Sequence, residues 1–384
     1  MERNVPKLRF KGFNDEWEEY RIGDLCRVDT GNKDTQNKVD NGIYPFFVRS
    51  QNVERINTYS YDGEAILTAG DGVGVGKVFH YVNCKFDYHQ RVYKLSDFNN
   101  VNGKFLYMYF SKNFKRETVK YNAKTSVDSV RREMITKMKI IMPSMVEQER
   151  IANFLTKVDK IIEKQEEKVK NLEKYKKGMM QKIFSQEIRF KDENGEDYPE
   201  WEELTFNDIL VEDLYPVPKP SEKYEKISVR SHAKGTFSSI VDKPEEVNMD
   251  TLYEVKEKQL IVNITFAWEH AIAIVKKEDE NKLVSHRFPT YKFKENANYE
   301  FYGNYIKLPI VKYKLSLASP GGAGRNRVLN KKEFLKIEVP VPCIDEQMKI
   351  AKFLSDIDNI AEKEQKKLEK MRVWKKGLLQ QMFV

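Results

Sequence analysis

The chain has 384 residues, enough for two or three domains that each bury a core. At 40% hydrophobic and 33% charged it is no disordered chain, and its composition describes a globular protein with a wet or elongated surface. Lys and Arg outnumber Asp and Glu by 67 to 59, and the net charge of +8 favours a polyanionic partner without specifying one.

In chain order, residues 1–142 read as a first globule. The opening MERNVPKLRFKGF has no apolar signal core, and no run of about 18 apolar residues occurs anywhere, so the expectation is a cytoplasmic protein without a membrane segment. Short β-like runs such as AILTAG (65–70), KVFHYV (77–82) and QRVYKL (90–95) are broken by Gly, Asn and Asp. The Gly-rich stretch AGDGVGVGKVF (69–79) has glycines at 70, 72, 74 and 76 and fits neither GxGxxG nor GxxxxGK[ST], the latter because position 71 is Asp and Val78 follows Lys77. A tight turn between strands is the better reading.

Residues 143–185 read as a long helix. Pro143 sits just before the periodic segment, where proline can begin but not continue a helix. Apolar residues then alternate at spacings of four and three: Ile151, Leu155, Val158, Ile162, Val169, Leu172, Met179 and Ile183. This is a heptad seam, and about forty residues at roughly 1.5 Å each give a helix on the order of 60 Å long.

A second globule follows at 186–341, with strand-like QLIVNITF (259–266) and HAIAIVKK (270–277). DTLYEVK (250–256) holds an ExK fragment of the kind nucleases use around a metal, but no Pro-Asp precedes it and a chance occurrence is expected. Cys26, Cys84 and Cys343 lack CxxC spacing, and His80, His89, His232, His270 and His286 lack ligand spacing, so no disulfide framework or metal site is expected. Neither HExxH nor a Ser/His/Asp signature is present.

The final segment, 342–384, repeats the first helix. It aligns without a gap to 143–185 at a constant offset of 199, with 17 of 43 positions identical, among them Glu147/Glu346, Gln148/Gln347, Asp159/Asp358 and Gly178/Gly377. Its seam runs Ile350, Leu354, Ile357, Ala361, Leu368, Met371, Leu378 and Met382. Both seams are interrupted at matching places, Gln165 with Glu364 and Lys176 with Lys375, where polar groups can fix register. A looser echo links LRFKGFNDEWEEYRIGDL (8–25) to IRFKDENGEDYPEWEELTFNDIL (188–210), with Trp17 matching Trp201. For the seams to pair, the second helix must run back along the first. The expected architecture is therefore α+β: two globules separated by two long antiparallel helices in a coiled coil, with a pseudo-twofold internal repeat and Val384 returning to the first globule. The alternative is two helices that each pack into their own domain.

The pattern Pro-x3-Glu-Gln-x2-Ile-Ala-x-Phe-Leu-x3-Asp, at 143–159 and again at 342–358, each time after a dissimilar globule, resembles the specificity subunit of type I restriction-modification enzymes. The resemblance implies that the globules are target-recognition domains, each reading half of a bipartite site in double-stranded DNA. It implies that the helices set the spacing and dock two methyltransferase subunits. S-adenosylmethionine, ATP and Mg would reside on those partners and on the restriction/translocase subunits, with no cofactor in this chain. It would be a reader and not an enzyme, and the absence of an Asn-Pro-Pro-aromatic tetrapeptide agrees. A coiled-coil interaction scaffold without DNA readout is the rival function.

Sequence-specific reading needs Arg, Lys, Asn or Gln aimed at base edges and basic groups on phosphates. Three paired sets fit. Val-Arg-Ser occurs in both globules, giving Arg49, Ser50, Gln51 and Asn52 in one and Arg230, Ser231, His232 and Lys234 in the other. Before each helix lie NAKTSVDSVRRE (122–133) with Lys124, Arg131 and Arg132, and SPGGAGRNRVLN (319–330) with Arg325, Asn326 and Arg327. HQR and SHR supply Arg91 and Arg287, and Lys77 joins them from the Gly-rich stretch. Of the interleaved aromatics, Tyr44, Phe46, Phe47, Phe266 and Trp268 could touch thymine methyls, although core packing is expected for most. Phe154, Ile161, Tyr175, Phe353, Ile360 and Trp374, beside the seams, read as exposed apolar residues that need a partner.

Overall fold

Two short antiparallel ribbons explain where the long helices start. In the computed structural model, which describes residues 4–122, 129–321 and 327–384, Glu18–Arg21 pairs with Lys139–Met142 and Glu202–Thr205 pairs with Glu338–Val341. Each ribbon joins the entry of a globule to its exit, so the chain leaves through a closed neck. Pro143 and Pro342 then end the exit strands, because proline cannot donate the next ladder hydrogen bond. Helices follow at Met145–Phe184 and Ile344–Met382.

The chain divides into two compact units, 1–168 with 365–384, and 169–364. Both boundaries fall inside the long helices, so each unit holds one globule, the start of one helix and the end of the other.

In the first unit a six-stranded sheet runs in the order Arg27–Thr30, Val92–Ser96, Tyr61–Ala69, Phe79–Tyr88, Tyr44–Phe47, Glu54–Ile56. All its pairings are antiparallel except that of Tyr44–Phe47 with Phe79–Tyr88. The helix Gly103–Asn122 packs its buried Phe105, Leu106, Phe110 and Phe114 inward. Phe383 reaches the same region, with ring centroids 5.2 Å from Phe105 and 6.1 Å from Tyr109, and Gln381 accepts from the Leu8 backbone at 2.9 Å. The end of the chain is therefore part of the first unit.

Apart from its ribbon, the second unit splits its strands between two sheets. One has the order Leu210–Glu212, Thr290–Phe293, Leu260–Val262, Ile272–Ile274; the other has Tyr215–Pro218, Thr251–Glu254, Leu283–Val284, Tyr224–Val229, Thr236–Val241. Its main core joins Phe206, Tyr291, Phe301, Tyr302 and Phe334 to Ile350, Ala351, Leu354 and Ile357 of the second long helix. Phe184 ends the first long helix against Phe301 and Tyr305, while Phe383 follows directly on the end of the second.

Within each unit the two helix segments run antiparallel. Asp159 pairs with Lys375 and Glu166 with Arg372 in the first unit, one partner number rising as the other falls. Lys176 pairs with Asp358 at 2.5 Å in the second. The lysines that interrupt the seams thus bind the aspartates of the repeated motif, each from the other helix. Ile151, Leu155, Val158, Ile162, Val169 and Leu368 are buried, while Leu172 and Met371 are half-buried. In the second unit the stripe is shared: Ile350, Leu354 and Ile357 lie in the globule's own core, so the helix is held first by the globule and then by its antiparallel neighbour.

The repeated Glu-Gln pair fastens each helix to its globule. Glu147 is 1% exposed and takes two hydrogen bonds from Arg9, Nε to Oε1 and Nη2 to Oε2, both 2.8 Å. Glu346, fully buried, accepts from Arg189 Nε at 3.3 Å, Arg189 Nη2 at 2.9 Å and Trp201 Nε1 at 2.9 Å. Hydrogen bonding to these carboxylates holds the Arg9 and Arg189 guanidiniums above their ordinary pKa. Gln148 Oε1 accepts from Asn102 N and its amide donates to Pro143 O; Gln347 does the same with Asn298 N and Pro342 O. The echo Arg-Phe-Lys, at Arg9 and again at Arg189, is the other half of this device. It corrects the expectation that Phe154 and Phe353 are exposed, because Phe10 covers Phe154 and Phe190 covers Phe353, edge to face at 5.6 and 5.4 Å.

Candidate nucleic-acid interface

In the first unit, three chain segments meet at the end of strand Tyr61–Ala69. Gly70 donates its backbone N–H to Arg91 O at 2.8 Å, and its carbonyl accepts from Val130 N at 2.7 Å. The next residue, Asp71, is bridged to Ser129 and carries a carboxylate between two arginines: Arg49 Nη1 donates to Oδ1 at 2.9 Å, and Arg91 Nε lies 3.7 Å from Oδ2. Arg131 and Arg132 leave this point exposed, and Lys77 is exposed on the same Gly-rich loop. The three sequence-paired sets of the first globule therefore share one surface. Ser50 turns back onto Asn52 O at 2.9 Å, and Gln51 and Asn52 are exposed.

Glycine shapes the loop. A Cβ on Gly74 would lie 2.5 Å from Arg49 O, so only glycine lets the turn press onto that backbone, and Gly72 sits at φ +72°. The turn leaves Val73 89% exposed at its tip. Behind it the buried His89 accepts the Arg91 N–H on Nδ1 at 2.9 Å; burial, then the neighbouring Arg49, hold this imidazole's pKa down, which keeps the accepting nitrogen unprotonated.

The second unit rebuilds the same backbone pattern with other residues. Ile264 N donates to Arg287 O at 3.0 Å, and Ile264 O accepts from Leu329 N at 2.8 Å. The loop then forms a single turn, Ala267–Glu269, and presents Phe266, 39% exposed. Ser231 Oγ donates to Glu269 Oε2 at 2.7 Å, and His232 N to Glu269 O at 2.9 Å, which docks the tight turn between Arg230 and Gly235 on this loop. His232 and Ala233 take left-handed backbone there, at φ 62° and 50°. Arg230 lies over the Phe237 ring at 5.2 Å and Arg327 over Trp268 at 5.8 Å. Lys234 and Arg287 are exposed. Lys124, Arg325 and Asn326 lie outside the described residues.

Sequence reasoning missed the carboxylates that organise both surfaces, Asp71 and Glu269. Asp71 is visible only as the residue that spoils a phosphate-loop pattern, and nothing local marks Glu269. Of the aromatics, Phe46 and Phe47 are core residues. The ExK fragment is paired with itself, Lys256 Nζ to Glu254 Oε2 at 2.9 Å, and no group of three or more His, Cys, Asp or Glu suits a metal among the described residues. No helix among them is long and apolar enough to cross a membrane.

Residues 14–174 and 198–371 each match the family described as the type I restriction modification DNA specificity domain. The chain belongs to that family. It is 25% identical over 416 residues to the type I restriction enzyme MjaVIII specificity subunit of Methanocaldococcus jannaschii, covering 98% of this chain and 94% of that one. It is 29% identical over 208 residues to the EcoDI specificity subunit of Escherichia coli, covering 54% and 44%. In fold it is similar to the crystal structure of a type I restriction-modification S subunit from M. genitalium, with a TM-score of 0.62 at 17% identity over 99% of both chains. As a member of the specificity family it serves DNA target recognition, and the two surfaces above are its candidate readers.

Proposed function

We propose that this specificity subunit reads an asymmetric bipartite target in double-stranded DNA, one half-site per unit, and directs partner subunits to it. One observation carries the reading. Both globules bring the same three chain segments together through the same pair of backbone hydrogen bonds, yet dress that frame with different side chains, Arg49, Asp71 and Arg91 in one and Arg230, Glu269 and Arg287 in the other. A shared frame with different side chains suits two different half-sites, because side chains on base edges carry sequence information whereas phosphate contacts carry register.

The partners we assign are two methyltransferase subunits, with restriction/translocase subunits joining through the complex. S-adenosylmethionine, ATP and Mg belong to them in this reading, and the chain itself catalyses no step. Ile161, Tyr175, Ile360 and Trp374 support docking: each is about half exposed on a long helix, and they form repeat-related pairs, Ile161 with Ile360 and Tyr175 with Trp374. The cytoplasm is the proposed setting.

The test is DNA binding by the chain assembled with a cognate methyltransferase subunit. Non-target binding should fall steeply with salt, by about 10³ or more between roughly 50 and 200 mM if six or more phosphates are engaged, while target binding keeps a large advantage. A complex that assembles through the helices but shows no preference among DNA sequences would favour the scaffold function.

A further inference from the structure

We propose that Asp71 is a positioning residue of the first unit's reader: its carboxylate aligns the Arg49 and Arg91 guanidiniums for base edges and opposes their capture by phosphate in non-target DNA. This rests on the reading of that surface as a DNA interface.

A carboxylate at the centre of a DNA-binding surface repels the polyanion it must approach, so its presence needs another reason. Asp71 is held from two sides, by the bridge to Ser129 and by the preceding Gly70, whose N–H and C=O are committed to Arg91 and Val130. Its side chain is 24% exposed, against 46% for Arg49 and 64% for Arg91. A well-anchored acid therefore faces two more exposed guanidiniums that arrive from different segments. Arginine reads guanine through two parallel hydrogen bonds in a fixed plane, and it gains from being held before the base arrives. Among the described residues the second unit lacks this arrangement. Thr265 follows the equivalent Ile264, and Arg287 has no ion-pair partner among the described residues. Glu269 there binds Ser231 and pairs with no arginine among the described residues. The acid is thus a property of one reader and not of the shared frame, which a purely structural role would favour in both.

The experiment compares wild type, Asp71→Asn and Asp71→Glu in the complex with the cognate methyltransferase, with binding to target and non-target duplexes measured across a salt series and every half-site position varied. Thermal melting of each variant checks folding. The asparagine variant should bind non-target DNA about 3- to 10-fold more tightly, with a log–log salt slope steeper by up to about one, because one opposing charge is gone. Its discrimination should fall about tenfold at positions of one half-site only, the size of one good base contact, and glutamate should restore part of it. Unchanged discrimination with normal melting would make Asp71 a surface ion pair only and overturn the proposal, as would equal loss at both half-sites. If wild type itself shows no sequence preference, the DNA-reader reading fails and takes the proposal with it; a selective wild type with an indifferent Asp71→Asn overturns the proposal alone.

Discussion

Replacing Glu346 by alanine should destabilise the second unit by about 3–5 kcal/mol, the usual cost of removing one partner from a buried charged pair. The structure supplies the contacts that set that cost. The carboxylate is fully buried and takes three hydrogen bonds, two from Arg189 and one from Trp201. Truncation leaves the Trp201 N–H unpaired at roughly 1–3 kcal/mol. Arg189 suffers less, because it keeps the Tyr198 and Pro199 carbonyls at 3.1 and 2.6 Å and Glu200 at 3.3 Å. In the first unit the matching Trp17 indole N–H has no partner among the described residues, and among these Glu147 binds Arg9 alone, so Glu147→Ala should cost less than Glu346→Ala. For a unit of this size each kcal/mol moves the midpoint by about 2–4 °C, so the expected drop for Glu346→Ala is roughly 6–20 °C. Thermal scans combined with amide exchange on the ribbon Glu202–Thr205 with Glu338–Val341 would report it and show which unit opens. A loss below about 1 kcal/mol, or equal losses from the two substitutions, would refute the reasoning.

Other consequences follow from the same geometry. Asp358→Lys should cost about 1–2 kcal/mol by placing like charges where Lys176 now has an acid, and adding Lys176→Asp should recover most of it; failure of the double substitution to recover stability in a melt would show that the pair does not fix register. Thiol labelling at pH 8 should modify exposed Cys84 quickly, half-buried Cys343 more slowly, and leave Cys26 untouched, since burial pushes the Cys26 thiol up to about 12 and keeps it protonated; rapid labelling mapped to Cys26 itself would contradict the packing around Ile22 and Leu25. If Val73 and Phe266 touch thymine methyls, uracil substitution in the target should weaken wild-type binding about fourfold per contacted methyl, near 0.8 kcal/mol each, and leave Val73→Ser or Phe266→Ser unaffected at the corresponding half. Equal sensitivity of variant and wild type would remove these side chains from the interface.

The helices are legible in the sequence because a heptad stripe, a leading proline and an exact 199-residue repeat all act within single segments. The purpose of the repeated Glu-Gln is not, since Glu147 meets Arg9 across 138 positions and Glu346 meets Arg189 across 157. That distance also hides why Phe154 and Phe353 are covered. The sheets are less legible still: neighbours such as Tyr61–Ala69 and Val92–Ser96 are not consecutive, and one pairing is parallel. The common frame of the two candidate surfaces escapes sequence comparison altogether, because backbone hydrogen bonds at Gly70 and Ile264 do not depend on side-chain identity. Basic candidates such as Arg49 and Arg91 can be found from their type and strand-end setting. Asp71, which makes them a group, cannot, because its role exists only once three segments have met.

The measurement that bears most directly on the account is methylome sequencing of a host expressing the chain with its cognate methyltransferase subunit, alongside the same host with that subunit alone and with a chain whose residues 1–142 come from a relative. A gapped, asymmetric N6-methyladenine motif should appear only when the chain is present, with a change confined to one half of that motif after the exchange. A verified, folded complex that adds no motif, or an exchange that alters both halves together, would contradict this.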